Sequence, residues 1–260
     1  MRSLARQEAE TFVAQREEAG YPLLKGKPVE KPAQITLQTA DLPTDKATFM
    51  LEIGTEELPA ADLDSALEQL EQAAPALLEQ ARLEHGEIRV QGTPRRLAIV
   101  VESVAPRQPD REQIVRGPPA RVAFDAEGNP TRAAEGFARS RGVDVSDLEV
   151  LELEGGQYAA ATVREQGKLA GEVLSKALSD FVAGIVFSNN MRWNASGVAF
   201  SRPIRWFVAL LGKAVLPFSY AGLTSGRVSR GLRPFGSPEI EIPEAAAYET
   251  LMSEQSVVLD

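Results

Sequence analysis

Three carboxylates fall within six residues of the segment EIGTEELP, at Glu52, Glu56 and Glu57. Carboxylates held this close can divide acid and base roles, or offer hard oxygen ligands to Mg²⁺. They also suit a plainer task. Pro59 favours a helix start, and negative charge just before it is stabilised by the helix dipole; this is the preferred reading. His85 is the sole histidine and there is no cysteine. A Ser-His-Asp site or a multi-histidine metal centre would have to be built around that one imidazole, and a disulfide framework or zinc knuckle is excluded. His85 stands in LEHG, where a helix is expected to end, and a favoured position near a helix C-terminus accounts for it. There is no G-x-G-x-x-G, and GYPLLKGKP has the wrong spacing for a phosphate loop, with no Ser or Thr after the lysine. No catalytic residue and no metal ligand is assigned.

The second chemical signal is a charge bias. The chain carries a net charge of −9, yet between Asp180 and Glu239 there is no Asp or Glu. By proportion about eight acids would be expected there. That stretch holds Arg192, Arg202, Arg205, Lys213, Arg227, Arg230 and Arg233, with Trp193, Trp206, Phe207, Phe218, Tyr220 and Phe235 interleaved. Guanidinium forks suit phosphate, and exposed aromatics stack on unpaired bases. Either tryptophan could equally be core. Arg95 and Arg96, at a strand entrance after Pro94, form a second basic cluster. Arg107, Arg111, Arg116 and Arg121 follow, diluted by Asp110 and Glu112, and read better as a solvated loop.

The elements that must position these residues are legible in outline. Leu4, Ala5, Ala9, Phe12 and Val13 recur at helical spacing, and Gly20 with Tyr21-Pro22 stops the helix at the end of a 1–24 segment. Residues 25–47, rich in proline and polar groups, read as a linker. FMLEI is a short strand. GTEELPAADL turns into a helix striped by Leu63, Leu67, Leu70, Ala74, Leu77 and Ala81, which Pro75 should kink or split. GEIRVQ and RRLAIVVESV are strands, and 105–130 reads as loop. A helix at TRAAEGFARSRG, a hairpin around Gly155-Gly156 and a helix over KLAGEVLSKALSDFVAGIVF come next. Gly212-Lys213 then suits a hairpin turn. The expected fold class is α+β: a mixed or antiparallel sheet packed with helices, with a smaller α+β unit inserted. The main unit would be 48–125 with 187–260, and the insertion 126–186. No run of about 18 apolar residues offers a membrane span. The first residues lack a signal-peptide core, and a cytoplasmic location is expected.

FMLEIGTEELP, TPRRLAIVV, RGPPARVAFDAEGNPTRAAEGFARSRG, MRW, FSRPIRW and SGRVSRGLRPFG, in this order and spacing, resemble the amino-terminal part of the β subunit of bacterial glycyl-tRNA synthetase. The match covers about 48–260. ARQEAETFVAQREEAGYPLL resembles the carboxy-terminal helix of the α subunit, so the chain looks like a piece of a fused α–β synthetase. Two departures stand out. Leu232 replaces a histidine common in the family, and Asn190 stands where a lysine often precedes Met-Arg-Trp.

The resemblance implies a division of labour. The family's α part holds the class II site that activates glycine with ATP and Mg²⁺. Its β part supplies tRNA recognition and continues into an HD-type and an anticodon-binding domain. The β amino-terminal region is also similar to RNA-binding parts of archaeal CCA-adding enzymes. The chain is accordingly expected to be a tRNA-binding portion with no cofactor and no self-sufficient catalysis. Its partners would be tRNA(Gly) and the α part, within an α2β2-like oligomer. Arg192, Arg202, Arg205, Arg227, Arg230 and Arg233 would contact phosphates, Arg95 and Arg96 would extend that surface, and Trp193 or Trp206 would stack. The alternative is a scaffold that docks on the α part, with RNA binding mainly in the further domains.

Overall fold

Why the central strand is buried on both faces becomes clear from its neighbours in the computed structural model. The structure describes residues 2–20, 36–125, 127–153 and 155–259. Strand β1 (Ala47–Thr55) lies in the middle of a five-stranded sheet and is buried over seven consecutive residues. It is flanked by β3 (Arg96–Val104) and β9 (Ile204–Leu211), with β2 (Ile88–Thr93) and the short β10 (Ala214–Val215) at the edges. All of these pairings are antiparallel. The opening strands and the late hairpin thus share one sheet, and the class is α+β.

One sheet face carries Phe49, Leu51 and Ile53 and packs against α2 (Ala60–Gln80) and α5 (Ala170–Ala183). Leu70, Leu78, Leu174 and Leu178 are fully buried there. The other face carries Met50, Ala98, Val100, Val208 and Leu210. It is covered by residues 240–257, including α6 (Tyr248–Glu254). The final segment adds β13 (Val228–Arg230) paired with β14 (Glu239–Glu241). Two-residue ladders join β7 (Met191–Arg192) to β8 (Ala199–Phe200) and β11 (Ser219–Tyr220) to β12 (Leu223–Thr224). Helix α2 runs unsplit through Pro75.

The inserted unit is a three-stranded antiparallel sheet. Its order is β4 (Arg111–Pro119), β6 (Gly156–Glu165), β5 (Leu148–Leu153), with α3 (Ala120–Ala123) and α4 (Arg132–Arg141) alongside. Its limits differ from the expected 126–186 in both directions. The segment read as loop contains β4. It escaped the periodicity reading because its side chains are mostly exposed and its order comes from main-chain pairing with β6. Conversely, α5 belongs to the main core. Gln108 ties the neck of the insertion: its side chain donates to Ala81 O (2.6 Å), and its main-chain N–H donates to Lys168 O (2.9 Å).

Part of the expected linker is also core-bound. Leu37 and Leu42 pack on the main cluster, and Gly171 leaves the space that Leu42 fills. Residues 25–35 of that linker, and the Tyr21-Pro22 stop, lie outside the described residues. The amino-terminal unit is helix α1 (Arg2–Glu18), closed by Gly20 at φ 66°. Among the described residues no helix is long and apolar enough to cross a membrane.

Candidate nucleic-acid interface

Four chain segments meet at one end of the five-stranded sheet: Glu52–Leu58, Pro94–Arg96, Ser201–Trp206 and Ser229–Ser237. Main-chain bonds fasten them, from Thr55 N to Arg95 O (2.9 Å), Glu56 N to Pro203 O (2.9 Å) and Leu58 N to Pro94 O (2.6 Å). Gly54 pairs with Arg96 on one side and Trp206 on the other. A Cβ at Gly54 would lie 1.9 Å from the indole of Trp206, so a side chain here and the ring cannot coexist.

The inner layer of this junction is sealed. Glu52 is fully buried and accepts hydrogen bonds from Trp206 Nε1 (2.5 Å) and Ser229 Oγ (2.6 Å). Arg96, 2% exposed, donates to Arg230 O (2.5 Å) and to Met252 Sδ (2.7 Å). Tyr248 is buried with them. Burial, and then the negative charge of Glu52, push its hydroxyl pKa well above the ordinary value. Burying charge is costly without hydrogen bonds. Glu52 and both terminal nitrogens of Arg96 have them, whereas Arg96 Nε and the Tyr248 hydroxyl are buried without a partner among the described residues.

The outer layer is a braced arginine pair. Glu56 accepts from Arg205 Nε (2.7 Å) and from Arg233, while Arg233 also reaches Glu57 (3.1 Å). The arginine side chains stay about half exposed, at 50% and 51%. Arg205 spends only its Nε, leaving both terminal nitrogens without a partner among the described residues. Burial raises the Glu56 pKa, but the hydrogen bonds and charges of Arg205 and Arg233 together outweigh it and hold the carboxyl below its ordinary value. Arg95 donates to Ser237 Oγ (3.0 Å) and lies 5.8 Å from the Trp206 ring centroid. Burial and then the nearby Arg233 charge lower its pKa from the usual arginine range. Arg95, Leu232, Arg233 and Val257 border a cleft of about 460 Å³.

These positions change the expected contact set. Arg96 and Trp206 are interior, the first bonded to Arg230 O and Met252 Sδ and the second to Glu52, so neither lies on the surface expected to meet RNA. Trp193 is half-buried against the main core. Arg230 is paired with Glu239 (3.0 Å), and Arg227 donates to the carbonyls of Lys213, Ile242 and Pro243. Arg192 and Arg202 are exposed and bond only neighbouring carbonyls, of Gly197 and Ser201. The three carboxylates do not form a Mg²⁺ site, since Glu52 faces inward to Trp206 and Ser229 while Glu56 and Glu57 are committed to arginines. Among the described residues no group of three or more His, Asp or Glu could hold a metal ion.

Sequence reasoning missed Ser229 and Tyr248, and it missed Glu56 as an organiser. The available signal was an acid, Glu52, on the face of a central strand that a second layer had to cover.

The outer layer thus presents half-exposed guanidinium groups held by carboxylates behind them. Residues 49–260 match the family model described as glycyl-tRNA synthetase beta subunit, and the chain belongs to that family. It is 43% identical to the glycine–tRNA ligase beta subunit of Desulfitobacterium hafniense (strain DSM 10664 / DCB-2), over 82% of this chain and 31% of that protein. It is 46% identical to the beta subunit of Geobacter metallireducens, over 77% and 29%. The similarity to glycine–tRNA ligase, chloroplastic/mitochondrial 2, of Arabidopsis thaliana is 45% and covers 100% of this chain and 25% of that protein. The chain therefore spans between a quarter and a third of the length of these relatives.

Proposed function

We propose that the chain is the part of a glycyl-tRNA synthetase that holds tRNA(Gly) while glycine is attached. In this reading ATP, Mg²⁺ and glycine activation belong to a class II α part, and this portion does no chemistry alone. The observation that carries the reading is the pair Arg205 and Arg233, aimed outward by Glu56 at the junction of the family's motifs. Arg192, Arg202 and Arg95 extend it. A guanidinium fixed by a carboxylate has already lost its rotamer freedom, so less is lost when phosphate binds. Similarity to the Arabidopsis relative runs over the whole chain, including residues ahead of the family match. That supports α1 as the tail of an α part fused to a β head, within an α2β2-like assembly. A cytoplasmic location belongs to the same proposal.

A second reading is a docking scaffold for the α part. Phe235, 73% exposed beside the braced pair in sequence, favours it, as does the partial neutralisation of that pair. Titration with tRNA(Gly) transcript at low and moderate salt, repeated with Arg202→Gln/Arg205→Gln, separates the two. Salt-sensitive binding that weakens in the variant, with assembly intact, supports RNA contact. Lost assembly with unchanged RNA affinity supports docking. Equal or absent binding at both salts defeats the first reading.

A further inference from the structure

The inserted unit contains a glycine that the chain itself does not explain. Gly136 sits in the middle of α4, where glycine costs about 1 kcal/mol relative to alanine. It is exposed, and a Cβ added there would meet nothing within 4 Å. The buried side of α4 is set by Ala134 and Ala138, which places Gly136 on the outward side. Arg132 and Arg139, four residues before it and three after, share that face. Both are exposed, and neither makes an ion pair or side-chain hydrogen bond among the described residues. Glu135, at the edge of the same face, has the spacing to pair with either and pairs with neither.

Arg132 adds a second anomaly. It occupies the first turn of a helix whose N-cap, Thr131, is well formed, with Oγ1 accepting from Ala133 N (3.2 Å). Positive charge there opposes the helix dipole. The Thr131 hydroxyl also donates to Val122 O (2.7 Å), fixing α3, which carries the exposed and unpaired Arg121, against this end of α4. A missing side chain flanked by free guanidinium groups on one helical face is what close approach of a polyanionic backbone requires. The gap admits the ribose-phosphate chain, and the arginines meet phosphates on either side of it.

We infer that the outward face of α4 around Gly136 is a contact surface for an RNA sugar-phosphate backbone. The inference rests on the tRNA reading above and assigns the closest approach to the inserted unit. The test titrates the whole chain with unmodified glycine-accepting tRNA transcript at several salt concentrations. Gly136→Leu keeps or raises the helix propensity, so its thermal midpoint should not fall while its affinity drops about tenfold or more. Arg132→Gln/Arg139→Gln should weaken binding and flatten the log affinity against log salt slope by about 1.4 to 1.8.

If both variants bind like the unaltered chain while Arg202→Gln/Arg205→Gln loses affinity, this inference fails and the tRNA reading stands. If the unaltered chain shows no salt-sensitive binding, both fail. If the α4 variants instead lose association with the α part at unchanged RNA affinity, the partner is protein and the inference is overturned.

Discussion

Two sets of arginines in this chain are placed in opposite ways. The stretch from 181 to 238 contains six arginines and no acid, yet in the folded chain carboxylates reach it from elsewhere. Glu56 and Glu57 arrive from the end of β1, and Glu239 from the paired strand β14. In the inserted unit acids are interleaved with the arginines, but only Arg164 has an ion pair among the described residues. Arg116 instead lies 3.7 Å from the Tyr158 ring centroid. Charge counted along a chain and charge presented at a surface are therefore different quantities. The first is local in sequence, whereas the second depends on which strands the sheet brings together.

The comparison is most easily broken at the sealed layer. If the arginines at the sheet end are structural, removing the most buried of them should be costly. Arg96→Ala leaves Arg230 O without its donor and empties a buried site beside Met252. Losing a buried hydrogen bond from a charged donor and leaving its acceptor unsatisfied typically costs about 1.5 to 3 kcal/mol. Urea unfolding should show a drop of that size, whereas a change below about 0.5 kcal/mol would place Arg96 among ordinary surface residues.

How much of this was legible beforehand differs by element. The central strand, α2, the hairpin at Gly155-Gly156 and the Gly212-Lys213 turn announce themselves through an apolar run, helical periodicity and turn chemistry, because burial or a fixed turn writes itself into the sequence. Strand β4 does not, since its order is paid for by pairing with a partner some 50 residues on. The site was half legible. Arginine content and the recurring motifs pointed to segments that meet at the sheet end, but whether Arg96 points inward and Arg205 outward is decided by strand parity against a covering layer. That layer, residues 240–257, carries little periodic signal of its own.

A smaller effect sharpens the comparison at the braced pair. The Glu56 pKa is depressed in the folded chain by Arg205 and Arg233. Its pairing therefore stabilises the fold above the ordinary carboxylate pKa of 4.5, and that stability is lost as pH falls through the lower folded value. The pair is partly exposed, so Glu56→Gln should cost only about 0.5 to 1 kcal/mol at neutral pH. The difference from the unaltered chain should shrink in acid. A gap that stays constant from pH 7 to about pH 3 would remove the electrostatic account.

The smallest effects should have the opposite sign and lie in the inserted unit. Gly136→Ala removes a helix-interior glycine with no steric cost, and Arg132→Gln removes a positive charge from a helix start. Each should stabilise the chain, by about 0.5 to 1 and about 0.3 kcal/mol respectively. Arg96, in the sealed layer of the sheet end, is bonded into the fold, so substituting it should lower stability. The α4 face works against the fold locally, so substituting it raises stability. Residues kept at a cost to stability are the ones for which the fold gives no reason, and an external contact supplies one. Thermal unfolding of the two variants decides the matter. If Gly136→Ala is destabilising, the glycine has an internal role and the contrast between the two regions disappears.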